Sequence, residues 1–283
     1  MMLILFRKLF SSSVRSHATV WRPAVFTLLV GGVSYTASGV YAAEHKLSQV
    51  QVSRKDNLIS KIRRWWSNVG AVNRFSITMI SLNSLVFLLW RVAPMYRLMD
   101  KYFISSISSK SSLPLLLSAF SHTEVWHLGL NMLVLWSFTP ALMRTLEDMD
   151  SSISSWPYYL TGGTFASMVG YYSKVFKKLP IGSLGASGAL MAVVSMVVFN
   201  NPDSVVYLIF LPFVPIPASW ALGGVVALDA IGVIRGWQFF DHAGHLGGVL
   251  FAVLYQWWLH KVCSNIHLKS AVGWFKARSK TNS

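Results

Sequence analysis

Long apolar runs separated by short polar stretches dominate the chain from Ala24 onward. They fall at about 24–43, 75–93, 123–141, 156–173, 183–200, 216–234 and 243–260, each near the roughly 20 residues that an α-helix needs to cross a bilayer. The stretch "NPDSVVYLIFLPFVPIP" at 201–217 is also apolar, but its β-branched residues and prolines read as a loop or re-entrant piece rather than a further helix. The pattern therefore predicts an all-α polytopic membrane protein with seven hydrophobic helices. An extra N-terminal span at 23–43 precedes a basic polar linker at 44–74. A six-helix core follows at 75–260, then a basic tail at 261–283.

Composition agrees with the pattern. Of the residues, 53% are hydrophobic and 12% charged, and the mean hydropathy is +0.48. A soluble domain carries about 25% charged residues, so this chain lacks the side chains to cover a water-facing surface. The net charge of +15 lies in loops and tails, with Lys46, Arg54, Lys55, Lys61, Arg63, Arg64 and Arg74 all in the 44–74 linker. Such juxtamembrane cations hold anionic membrane lipid and set topology. Nucleic acid is not the expected partner, since that needs a basic face on a soluble fold. The single cysteine, Cys263, excludes an intramolecular disulfide and a cysteine-built metal site.

Residues 1–22 contain Arg7, Lys8, Arg15 and Arg22, a serine cluster and no acid; the first carboxylate is Glu44. This is the composition of a mitochondrial transit peptide. A secretory signal is the competing reading, with an apolar core from Ala24 and small residues in "VYAA". The length of the basic region, and of the 24–43 run behind it, favours the mitochondrion.

The chemistry-bearing residues follow a parity. Helices that alternate in direction put the starts of the second, fourth and sixth core helices on one side of the membrane. Those starts read "FSHTEVWHLGLNM" with His122, His127 and Asn131, "GSLGASGAL" with Ser187, and "FFDHAGHLGG" with His242 and His245. Polar groups buried in a bilayer usually face the protein interior and mark function. A serine becomes a nucleophile when a base within reach takes its proton, and histidine is the usual base near neutral pH. The oxyanion that develops needs fixed donors. Ser187 at a helix N-terminus has unpaired N–H groups beside it, and His127 and Asn131 share one helix face. Gly182, Gly185 and Gly188 read as a small-residue row around Ser187. Gly244, Gly248 and Ala252 repeat at four-residue spacing, the pattern that lets helix backbones approach closely.

"HLGLN", "GASG" and "HAGHLGG", in this order on these helices, resemble the HxxxN, GxSG and HxxG signatures of the rhomboid family of intramembrane serine proteases. The similarity covers the whole core, and the leader and extra span resemble the mitochondrial members. It implies Ser187 as nucleophile and His245 as general base, a dyad. It also implies an oxyanion hole of His127, Asn131 and the Ser187 N–H, with no cofactor and no metal. The implied partners are single-span membrane protein substrates, cleaved in the mitochondrial inner membrane. Ala252 stands where many relatives have a second glycine.

Other residues compete for roles. Asp241, four residues before His245, suggests a third triad member, but an acid at a helix start is more often an N-cap. His122, Glu124, His127, His242 and His245 suggest a metal site, but no HExxH is present. Asp229, alone in the 216–234 run, is a costly carboxylate for which the sequence names no partner. Two other functions remain open: a non-catalytic rhomboid-like protein that binds membrane helices, and a proton or solute transporter, which would want more charges along a pathway. The basic flanks 44–74 and 261–283 lie on the same side of the core. The positive-inside tendency assigns that side to the matrix; the resemblance implies the opposite orientation, with the site opening to the matrix.

Overall fold

A short apolar helix at the centre organises the molecule. The computed structural model describes residues 20–48, 58–149 and 155–265. Most of the leader at 1–22, part of the linker and the tail from 266 on lie outside the described residues, and the side chain of Cys263 is likewise not described. In chain order the helices are α1 (Trp21–Ser48), α2 (Leu58–Asn68), α3 (Ala71–Leu89), α4 (Tyr96–Phe103), α5 (Pro114–Leu117), α6 (Val125–Met149), α7 (Ser155–Lys177), α8 (Ser187–Asn200), α9 (Ala218–Arg235) and α10 (His242–Asn265). Trp21–Val40, α3, α6 and α9 are each long and apolar enough to cross a membrane by length and composition.

Helix α8 has 14 residues and reaches about 21 Å, less than the roughly 30 Å of a hydrocarbon core. Its Ala189, Ala192, Val193 and Met196 are fully buried, in one cluster with Phe75 and Met79 of α3, Leu135 and Leu142 of α6, Tyr158 and Tyr159 of α7, and Phe251 and Ala252 of α10. Helices α6, α7 and α10 surround α8 closely, whereas α9 touches mainly α10 and α8. Helix α1 lies along α7 and reaches α10 through Tyr35, whose hydroxyl donates to that of Tyr255 at 2.8 Å.

The sequence pattern and the structure differ in three places. Residues 201–217 form neither helix nor plain loop: β1 (Val205–Leu208) pairs antiparallel with β2 (Leu211–Pro217), Val206 opposite Ile216. Prolines deny this segment a helix but are tolerated in edge strands, and both strands of a two-stranded hairpin are edges. Within the 44–74 linker, α2 is an amphipathic helix with Leu58, Ile62 and Trp65 exposed. Third, the 183–200 run is helical only from Ser187. Gly185 adopts φ +129°, a conformation closed to helices and favoured by glycine, so the chain turns there before α8 begins. Gly182 and Gly185 are therefore not part of a helical small-residue row; of the three glycines only Gly188 lies on α8.

Candidate active site

The turn into α8 is held from three sides. Ser183 and Ser105 exchange backbone hydrogen bonds, both 2.9 Å, and the Gly185 N–H donates to the Ser118 carbonyl at 2.9 Å. The Ala186 N–H donates to Nε2 of the fully buried His122 at 3.3 Å. Burial, reinforced by neighbouring His127, pushes the His122 pKa down to about 3, so the ring stays neutral and keeps a lone pair for that N–H. His122 is thus an anchor of the loop; no group of three or more His, Cys, Asp or Glu is placed to hold a metal among the described residues. Ala186 is the N-cap of α8 and no side chain caps the helix, leaving its first N–H groups for another acceptor.

Asp241 stands just before α10, and its Oδ1 accepts the Gly244 N–H at 3.0 Å, the N-cap that the sequence favours. Its Oδ2 lies 2.9 Å from Lys174 Nζ, and Lys174 also donates to the Ser183 hydroxyl. Burial is the largest single influence on Asp241 and would raise its pKa, but the Lys174 ammonium and the hydrogen bonds from Ser183, Lys174 and Gly244 together outweigh it and hold the carboxyl below its ordinary range. One ion pair thus ties the end of α7, the start of α10 and the loop leading to Ser187.

Helices α8 and α10 then meet at glycine. A Cβ at Gly248 would stand 2.2 Å from the Gly188 carbonyl oxygen, and one at Gly188 would stand 2.8 Å from Cβ of Ala166. The missing Cβ of Gly244 faces Asp241 instead, 3.0 Å from its carboxyl carbon, so this glycine makes room for the N-cap. This close approach brings His245 Nε2 to 2.8 Å from Ser187 Oγ, the reach a general base needs.

Of the other expected site residues, His127 shares with Ser187 and His245 a cavity of about 290 Å³ that is also lined by Trp126, Val233 and Phe240. A Cβ at Gly185 would stand 2.7 Å from Cε1 of His127, so this glycine provides both the turn and the space for the ring. Asn131 sits one turn deeper and buried, its Nδ2 donating to the His127 carbonyl at 2.7 Å. That bond uses one amide hydrogen and leaves the second.

Sequence reasoning missed the partners of Asp229. Its Oδ1 lies 2.6 Å from His242 Nδ1 and 3.1 Å from His245 Nδ1, and its Oδ2 lies 3.2 Å from His245 Nδ1. The signal available was a lone carboxylate in an apolar run, which must find a partner or carry a high cost.

A rhomboid domain model matches residues 110–262, and the chain belongs to the rhomboid family. It is similar to the presenilin-associated rhomboid-like protein, mitochondrial, of Rattus norvegicus, with 35% identity over 261 residues, 86% of this chain and 68% of the relative. The Homo sapiens protein of the same name is 35% identical over 85% of this chain and 67% of its own length. Rhomboid protein 1, mitochondrial, of Saccharomyces cerevisiae is 36% identical over 70% of this chain and 57% of its own length. The mitochondrial relatives and the apolar helices support a mitochondrial membrane protein with an intramembrane protease-like role.

Proposed function

We propose that this rhomboid is a mitochondrial inner-membrane serine endopeptidase that cuts single-span membrane proteins in or near their transmembrane segments, with Ser187 as nucleophile and His245 as general base. The observation that carries the reading is the 2.8 Å contact between Ser187 Oγ and His245 Nε2 at the uncapped start of α8. Helix α8 is shorter than a bilayer is thick, so at least one of its ends lies within the membrane, and this reading takes that end to be the start that carries Ser187.

The steps follow from these positions. Helices α6 and α9 flank the site without packing closely on each other, and the cavity is lined by Trp126 and His127 of α6 and by Val233 of α9. A substrate span entering from lipid unwinds there and presents a peptide carbonyl to Ser187 Oγ. His245 Nε2 takes the hydroxyl proton as the Oγ–C bond forms. The oxyanion is received by the Ser187 N–H at the positive end of α8, by His127 and by the remaining N–H of Asn131. The C–N bond then breaks and the proton on His245 passes to the departing amine. Water repeats the sequence on the acyl-enzyme, with His245 taking its proton and returning one to Ser187 Oγ.

The test is cleavage of a single-span reporter by the purified protein in proteoliposomes. Ser187→Ala and His245→Ala each abolish cleavage while leaving insertion and the unfolding midpoint in place. A Ser187→Ala protein that cuts at the wild-type rate ends this reading.

A further inference from the structure

Away from the Ser187 site, a groove of about 770 Å³ runs between α6 and the hairpin that follows α8. One wall is a stripe of α6, with Val134, Phe138 and Ala141 followed by Arg144 and Asp148. At 1.5 Å per residue the stripe is about 21 Å long. Tyr207 of β1 and Ile209 of the turn belong to the other wall. That wall is fixed at its base, where the Ala218 N–H donates to the Ser204 carbonyl at 2.7 Å, and Val206 packs against the cluster of Val198, Ala218 and Leu222.

The surroundings of the groove are apolar. No charged residue occurs between Asp203 and Asp229, and Phe210 and Phe213 of the hairpin are 78% and 91% exposed. Pro212, Pro215 and Pro217 leave β2 with fewer N–H groups to satisfy, which suits an edge strand at the apolar side of a bilayer interface. Depth along α6 places the charged end of the groove. Trp126 near the start of the helix is exposed, as tryptophans at a membrane interface are. Arg144 lies 18 residues further on (144 − 126), about 27 Å along the axis, close to the roughly 30 Å of a hydrocarbon core. Asp148 is one turn beyond, at headgroup level.

The two charges follow one another in a definite order. Arg144 and Asp148 are both exposed, and among the described residues neither forms a salt bridge. Outward along the groove, then, an apolar channel is followed by a cation and after it an anion. A phospholipid with an ethanolamine headgroup presents the complement in the same order: acyl chain, phosphate, primary ammonium. The Arg144 guanidinium suits a phosphate. The Asp148 carboxylate accepts hydrogen bonds, which a primary ammonium donates and a trimethylated one does not. A purely anionic headgroup would instead be repelled by Asp148 and by exposed Glu147.

We propose that this groove holds one phosphatidylethanolamine molecule, with an acyl chain between α6 and β1, the phosphate on Arg144 and the ammonium on Asp148. Occupied, it ties α6 to the hairpin that leads into α9. The proposal does not depend on the protease reading.

The experiment places the full-length protein in nanodiscs of equimolar phosphatidylethanolamine, phosphatidylcholine, phosphatidylglycerol and cardiolipin, and reads the retained lipid by native mass spectrometry. The wild-type protein retains one phosphatidylethanolamine in preference to the other three. Arg144→Gln weakens that retention about tenfold. Exchanging the charges, Arg144→Asp with Asp148→Arg, abolishes the preference although net charge is unchanged. Ala141→Trp fills the groove and lowers retention. Equal retention of phosphatidylcholine by the wild-type protein, or a preference for either anionic lipid, overturns the proposal and needs no variant to fold. A charge exchange that keeps the preference overturns it too. A rise in reporter KM in Ala141→Trp with lipid retention unchanged assigns the groove to a substrate span, and loss of a dimer in that variant assigns it to a second copy of the chain; either result overturns the proposal.

Discussion

Replacing Gly248 with alanine adds one methyl group at the place where α8 and α10 come closest. That carbon would stand 2.2 Å from the Gly188 carbonyl oxygen and 3.0 Å from the Ala192 nitrogen, both backbone atoms that cannot swing aside. Restoring van der Waals separation requires α10 to retreat from α8 by roughly 1 Å. His245 lies one turn before Gly248, and Ser187 is next to Gly188, so the retreat acts directly on their 2.8 Å contact. It opens that contact to roughly 3.8 Å, beyond hydrogen-bond range. Misplacement of about 1 Å can cost 10²-fold in rate, so Gly248→Ala lowers kcat by about two orders of magnitude. The intrinsic effect on α10 has the opposite sign, because alanine favours a helix over glycine by about 1 kcal/mol. Gly223→Ala on α9 is the control, since nothing lies within 4 Å of its Cβ position. Reporter cleavage and the unfolding midpoint are measured on both variants. Wild-type turnover in Gly248→Ala would refute the claim that glycine contact sets the Ser187–His245 distance.

Two further predictions concern the frame of the site. His122→Phe leaves the Ala186 N–H unpaired, at a cost of about 1–3 kcal/mol in unfolding free energy. It also changes the pH dependence: between pH 6.5 and about 3 the unfolded chain protonates His122 and the folded protein does not, so wild-type stability falls as pH drops through that window, and this component disappears in the variant. Lys174→Met breaks the ion pair with Asp241 and costs about 3 kcal/mol. The depressed Asp241 carboxyl contributes stability above its unfolded pKa that is lost as pH falls through the folded value, so the acid limb of an unfolding titration is steeper in wild type than in Lys174→Met.

Much of this site is legible in the sequence because helix parity and short-range spacing determine it. Ser187, His127 and His245 each lie near the start of an even-numbered core helix, and alternation alone brings those starts to one end. The partners of Asp229 are a different kind of fact. They depend on how α9 is rotated about its axis, and a helix apolar on nearly every face does not record that rotation in its hydropathy. A Cβ at Gly232 would stand 2.5 Å from Cδ2 of His242, and the sequence gives no sign that this glycine makes room for a ring. His122 was hidden by its neighbours: beside His127 it looks like part of the chemistry, whereas it holds the Ala186 N–H in a connection too irregular for periodicity to trace. The start of α8 was masked because "GSLGA" at 182–186 carries no charge to interrupt the apolar run, and a conformation at one residue, Gly185, decides where the helix begins.

On the proposed mechanism Ser187 is a nucleophile because His245 is placed to take its proton. Treating the purified protein with a fluorophosphonate and locating the adduct by mass spectrometry tests this at the reacting atom. The expected result is an adduct on Ser187 in the wild-type protein and none in His245→Ala. An adduct on another serine, or equal labelling of Ser187 without His245, would contradict it.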